Sequence, residues 1–264
     1  MSSSEALSEF TQISLCVRGM DVRVYESRVV DGPAFVLVHG FGVSSRYFGP
    51  LAAELSKYGR VLVLDLPGFG DTHDPDKSPR ITGFAQVVNA TIRRLEVEDA
   101  IIIGHSMGTQ VAVEALERAP GLARAALLAA PVVNDRERKG WLLLWRFVQS
   151  AVKEPPSSAW DSVVGFSRTT PGWLWHNFFP MLRYRIEDHL RHTEAPIVIV
   201  GGSEDRIAPP DWCHRLATVR DGVDVVIVDG EAHEMIHTAP VAVTHAAMAL
   251  AGHPLPPGLP PCGD

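Results

Sequence analysis

Long apolar runs are missing from this 264-residue chain. None approaches the ~20 residues that a membrane-spanning helix needs, which excludes a helical integral membrane protein. Runs of Lys and Arg are missing too. With a formal net charge of -7 and a pI near 5.9, the chain lacks the basic footprint of a nucleic-acid binder. It equally lacks the basic block that would seek an anionic membrane. Neither nucleic acid nor membrane is therefore expected as a partner. Cysteine is scarce. Cys16, Cys213 and Cys262 are scattered, odd in number and without C-x-x-C spacing. That argues against a disulfide framework or a zinc site. Three buried or incidental thiols in a reducing compartment is the expected state. Residues 1–10, MSSSEALSEF, have neither the basic nor the apolar region of a secretory leader, and a cytoplasmic location is expected.

What is present is ordinary globular composition, 46% apolar and 21% charged. Short β-branched or apolar runs recur along it. Residues 12–17 and 22–25 read as an opening hairpin turned at Arg18-Gly19-Met20-Asp21. Runs at 35–38, 61–64, 101–103, 125–128, 197–200 and 223–228 follow. Most are continuous rather than alternating, as strands buried on both faces require. Helical periodicity fills the intervals. After Ser106, polar residues at Gln110, Glu114, Glu117 and Arg118 predict one solvated stripe, with Val111, Ala112, Ala115 and Leu116 inward. Pro120-Gly121 ends that helix. Phe84, Val88, Ile92 and Leu95 mark another. The alternation predicts an α/β fold with a doubly wound, mostly parallel sheet flanked by helices.

Residues 133–192 break the alternation. They hold Trp141, Trp145, Trp160, Trp173 and Trp175, five of the six tryptophans. A long insertion of this kind is expected to be a helical cap over a functional cavity. The chain then divides into core segments 1–132 and 193–253, the cap 133–192, and a proline-rich tail 254–264 that is expected to fray.

Gly104-His105-Ser106-Met107-Gly108 matches G-x-S-x-G and joins the 101–103 strand to the following helix. Strand, tight turn and helix are what a nucleophile elbow requires. The flanking glycines relieve crowding, so the serine can hold a strained backbone with its hydroxyl exposed. A serine hydroxyl needs a base, and the base needs an orienting group. Asp205 follows the 197–200 strand and His233 follows the 223–228 strand, so Ser, Asp and His come in the order of this strand-and-elbow architecture. Alternatives stand beside them. Asp135, after the preceding strand, and Glu204 rival Asp205. His237, in the same loop, rivals His233. His105 reads as a packing and hydrogen-bonding residue, His39 as a buttress, and Asp65 as part of a structural turn.

Five ordered segments, His39-Gly40-Phe41-Gly42, Asp65-Leu66-Pro67-Gly68-Phe69-Gly70, Gly104 to Gly108, GSEDRIAP at 202–209 and GEAHEMIHTAP at 230–240, together resemble the α/β-hydrolase family over residues 12 to 250. The resemblance implies a cap after the sixth strand, where 133–192 falls. It implies an oxyanion hole built from the N–H groups of Phe41 and Met107. Phe41, Trp141, Trp145 and Trp173 would then line an apolar substrate pocket. Serine rather than aspartate at the elbow points to acyl chemistry: a serine hydrolase cleaving a carboxylic ester, or a related lactone or thioester, of an apolar small molecule. No metal or organic cofactor is expected, since an acyl-enzyme route needs none. Carbon–carbon bond hydrolysis, cofactor-free acyl transfer and a non-catalytic ligand receptor are the alternatives. The first is disfavoured because Val43 follows the 39–42 loop and Glu234 follows His233.

Overall fold

A computed structural model describes residues 6–28, 31–151 and 169–253. Trp160, Phe166, Cys262 and the tail 254–264 lie outside the described residues. Eight strands form one sheet: β1 Thr11–Val17, β2 Met20–Glu26, β3 Ala34–Val38, β4 Arg60–Asp65, β5 Ala100–His105, β6 Ala123–Ala129, β7 Ile197–Gly202 and β8 Val223–Val228. Their order across the sheet is β1-β2-β4-β3-β5-β6-β7-β8. The pairs β1/β2 and β2/β4 are antiparallel, and every later pair is parallel. The sheet is thus mostly parallel, as the continuous apolar runs predict. The opening hairpin is tighter than expected. Only Arg18 and Gly19 form the turn, both at positive φ (56° and 77°), and Met20 and Asp21 already pair with β1.

Burial follows the sequence pattern. β3, β5 and β7 are buried along their full length, because helices cover both faces. Edge strand β8 is half-buried throughout most of its length. The helices are α1 Gly49–Leu55, α2 Arg80–Arg94, α3 Met107–Arg118, α4 Gly140–Ala151, α5 Pro171–Arg183, α6 Ile186–Leu190, α7 Pro210–Ala217, α8 Met235–Thr238 and α9 Pro240–Leu250. Among the described residues, none is long and apolar enough to cross a membrane. Helices α4 to α6 sit in the insertion between β6 and β7, where the sequence places a cap.

The polar stripe expected on α3 is not solvated. Gln110 and Glu114 are buried; Glu117 is half-buried and only Arg118 is exposed. The reason is that other elements cover this face. Gln110 Nε2 donates to the carbonyls of Val132 and Met181, each at 3.0 Å. Glu114 accepts from Thr82 Oγ1 at 3.0 Å and Tyr184 Oη at 2.9 Å, and pairs with Arg118. Glu117 meets His189 Nδ1 at 2.6 Å and His192 Nδ1 at 3.0 Å. Helical periodicity separates polar from apolar residues, but it cannot tell water from a second polar surface.

Gln110 therefore ties α3 to the insertion. Gln110→Leu leaves the buried Val132 carbonyl without its donor, while the Met181 carbonyl keeps the Tyr184 N–H at 3.3 Å. It should lower stability by about 1–2 kcal/mol, the penalty for one stranded carbonyl offset in part by removal of Gln110 Oε1, which has no partner among the described residues. Denaturant unfolding gives the value, and an unchanged midpoint would mean the Val132 carbonyl finds another donor.

Candidate active site

The parallel strands end in register. Val38 pairs with Leu64 and Gly104, His105 with Ala129, and Gly202 with Val228. The loops that follow β3, β4, β5, β7 and β8 therefore gather along one edge of the sheet. Strand order reverses at β3, with β4 on one side and β5 on the other, which opens a crevice there.

Ser106 caps α3 with φ 53° and ψ -119°. That conformation costs a non-glycine residue about 1–3 kcal/mol. Absent side chains around it make the conformation possible. A Cβ on Gly104 would lie 2.3 Å from the Gly108 carbonyl oxygen, and one on Gly108 would lie 2.0 Å from that of Val38. One on Gly40 would lie 3.0 Å from Ser106 Cβ. The Ser106 N–H donates to Ala129 at 3.0 Å. Thr109 Oγ1 donates to the Ser106 carbonyl at 2.6 Å.

His233 Nε2 lies 3.1 Å from Ser106 Oγ, and His233 Nδ1 lies 2.9 Å from Asp205 Oδ2. All three residues are buried. A carboxylate can only accept, so Nδ1 carries the proton and Nε2 turns a lone pair to the serine hydroxyl. Asp205 Oδ1 accepts from the N–H groups of Ile207 at 2.7 Å and Ala208 at 2.9 Å. Burial pushes the Asp205 carboxyl up. The neighbouring imidazole and the two N–H donors outweigh that and hold it below the usual carboxylate range. The two loops are laced together. Glu204 N–H donates to Glu231 O at 2.8 Å and Gly230 N–H to Ser203 Oγ at 2.8 Å. Gly202 permits this approach, since a Cβ there would lie 2.3 Å from Glu231 O.

The rivals lie elsewhere in the network. Asp135 pairs with Arg215 at 2.6 Å. Glu204 is exposed. His237 packs against Tyr47, with ring centroids 5.9 Å apart. Asp65 serves the turn: its carboxylate accepts from Ser45 N–H at 2.7 Å and Asp71 N–H at 3.2 Å.

His39 locks the loop that carries Gly40 and Phe41. The Leu66 N–H donates to its Nε2 at 3.1 Å, so Nδ1 bears the proton and donates to Gly40 O at 2.7 Å. Gly40 abuts Ser106, and Phe41 follows it in the same loop. Met107 opens α3, where N–H groups have no intrahelical acceptor.

An aromatic ladder runs from the core to the insertion. Phe69 meets Phe41 at 6.5 Å and Trp173 at 6.4 Å, and Phe41 meets Phe178 of α5 at 6.0 Å, all edge to face. Trp173 is buried with its indole over Gly68, where a Cβ would come within 2.2 Å of it. Trp141 and Trp145 do not join this ladder. They lie one turn apart on α4 and are 68% and 54% exposed. Phe178 escapes sequence reasoning, because aromatic density marks the insertion without saying which ring faces the core.

Two buried histidines set a pH limit. Burial pushes His39 down to about 4 and His105 down to about 3. In the unfolded chain both protonate near 6.5. The unfolded state thus binds more protons below that value. Their contribution is complete above about pH 6.5 and is lost as pH falls through about 4 and 3. Together they should make stability fall by about 2–3 kcal/mol per pH unit between about pH 6 and 4.5, where both rings take a proton only in the unfolded chain. Asp205, held low, loses its contribution in the same direction as it becomes protonated. Denaturant unfolding between neutral pH and about pH 4.5 measures the slope; a flat profile would show that these rings protonate without unfolding.

Residues 35–247 match the model of the alpha/beta hydrolase family. Pimeloyl-[acyl-carrier protein] methyl ester esterase from Shewanella woodyi is 36% identical over 124 residues, 46% of each chain. The Nitrosospira multiformis protein of that name is 27% identical over 122 residues, again 46% of each. The chain thus spans about half the length of the curated relatives it matches. Among solved structures, a bacterial membrane phospholipase A superposes with a TM-score of 0.78 at 21% identity, covering 93% of this chain and 87% of that one. An esterase from Exiguobacterium antarcticum superposes with a TM-score of 0.78 at 17% identity, covering 92% and 99%. With the family model matched from β3 into α9, the chain belongs to the alpha/beta hydrolase family.

Proposed function

We propose that the protein is a serine hydrolase that cleaves a carboxylic ester, or a related lactone or thioester, of an apolar small molecule. The observation that carries this reading is the continuous contact from Ser106 Oγ through His233 to Asp205, at 3.1 and 2.9 Å. In the proposed reaction His233 Nε2 takes the hydroxyl proton as Ser106 Oγ attacks the carbonyl carbon. Asp205 keeps the imidazole in the required tautomer and stabilises the imidazolium. The N–H groups of Phe41 and Met107 receive the oxyanion; each such donor is typically worth ~10²–10³ in kcat. His233 then protonates the leaving alcohol. Water, activated by the same imidazole, releases the acid from the acyl-enzyme.

Ester cleavage is further supported by the esterase names of the relatives that match part of the chain. The apolar character of the substrate is supported by the rings of Phe41, Phe69, Phe178 and Trp173, which link the 39–42 loop to α5. Trp141 and Trp145 stand in solvent, so the pocket wall is assigned to Phe41 and Trp173. Helices α4 to α6 then act as the cap. A ligand receptor on this scaffold would not need the complete chain of proton contacts.

Ser106→Ala should lower kcat for a chromogenic ester by on the order of 10⁶. A fluorophosphonate should label the wild type at Ser106 and leave the variant unlabelled. Labelling at another serine, or near-normal turnover by the variant, would overturn the assignment.

Asp205→Asn should cost about 10⁴ in kcat by favouring the wrong imidazole tautomer, whereas Asp135→Asn should be nearly silent. Reversed results would move the acid to the end of β6. Across a series of esters with one leaving group, bulkier apolar acyl groups should raise kcat/KM. A flat series would assign the aromatic ladder to packing alone.

A further inference from the structure

His105 stands immediately before Ser106 and is buried. Its Nε2 lies 2.9 Å from the main-chain carbonyl oxygen of His233. A carbonyl only accepts, so Nε2 carries the ring proton and donates it. One hydrogen bond thus joins the elbow to the backbone of the residue whose side chain faces Ser106. The ring itself is clamped. It stacks on Tyr47 at 5.5 Å, meets Phe48 edge to face at 6.5 Å, and lies 5.1 Å from the His233 ring.

We infer that His105 is a positioning residue for the base: its neutral Nε2–H holds the His233 carbonyl and so keeps that imidazole in line between Ser106 and Asp205. The inference rests on the triad reading above. Geometry makes the bond consequential. The His233 side chain must meet Ser106 on one nitrogen and Asp205 on the other, so a backbone shift at His233 lengthens at least one contact. Misplacement by about 1 Å can cost ~10² in rate.

A neutral donor suits this place. A cation whose ring centre lies 5.1 Å from that of His233 would oppose the imidazolium that forms in the reaction. Burial is the main reason that His105 stays uncharged, and the nearby His233 and His39 rings reinforce it, while Asp205 and the bond to the His233 carbonyl pull the other way. Among the described residues, the opposite ring nitrogen, Nδ1, has no hydrogen-bond partner. It faces Gly40, where a Cβ would lie 3.5 Å from it. The side chain is thus retained with one nitrogen unpaired, while the other makes the bond to His233.

Three substitutions separate donation from packing. The Gln amide nitrogen reaches as far as Nε2, the Asn amide nitrogen only as far as Nδ1, and Phe keeps a ring without a donor. His105→Phe and His105→Asn should each lower kcat at least tenfold, with KM within about twofold. His105→Gln should restore kcat to within about threefold, with the acid limb of its pH profile unmoved. Far-UV circular dichroism and thermal melting check that the fold is kept. Loss by Gln as large as by Phe, or near-normal kcat in Phe, would overturn the inference. A readout independent of turnover is the ¹⁵N spectrum of histidine-labelled wild-type protein. His105 should remain a neutral Nε2–H tautomer between about pH 5 and 8; an imidazolium or Nδ1–H signal would overturn the proposal. If fluorophosphonate fails to label Ser106, the triad reading fails instead, and the spectrum still decides the hydrogen bond.

Discussion

Ser106 occupies a backbone conformation that its own side chain disfavours, with φ at 53°. Much of the surrounding structure follows from holding it there. Gly104, Gly108 and Gly40 leave space that any Cβ would fill. Removing those side chains lets the start of α3, the end of β3 and the 39–42 loop converge on one residue. Strain of about 1–3 kcal/mol is borne by strands β3 and β5, which are buried along their length, and by the Ser106–Ala129 backbone hydrogen bond. The result is a hydroxyl fixed at the head of a helix, where N–H groups without intrahelical acceptors converge.

Around this point, buried polar groups set one another's proton positions. Asp205 is acceptor only, and two main-chain N–H groups hold its second oxygen. His233 is thereby set as donor on one nitrogen and acceptor on the other. His39 and His105 take the opposite tautomers, Nδ1–H and Nε2–H, each dictated by the backbone group it meets. Burial keeps both neutral, so neither adds a charge beside His233. The same burial ties the fold to pH, because the unfolded chain would protonate these rings.

The insertion is joined to the core by polar and aromatic contacts. Gln110 spans from Val132 to Met181, and Phe178 reaches Phe41. A movement of α5 would therefore be felt at the 39–42 loop, which abuts Ser106. Polar groups buried at such a junction favour one arrangement, since most others would strand them without partners.

The sequence by itself determined the strands, the elbow and the order Ser, Asp, His. Those are local signals: continuous apolar runs mark strands covered on both faces, and glycines mark backbones that come too close for a Cβ. It also placed Asp205 and His233 at the ends of β7 and β8, which the sheet register then brings to Ser106. Tertiary structure alone decided which polar residues meet water. Gln110 and Glu114 have the spacing of a solvated stripe, yet Val132, Met181, Thr82 and Tyr184 cover them. It alone separated Trp173, laid over Gly68, from the exposed Trp141 and Trp145. It alone gave His105 its carbonyl partner. In each case the deciding atom belongs to a segment far away in sequence, and periodicity within one helix or loop carries no record of what will pack against it.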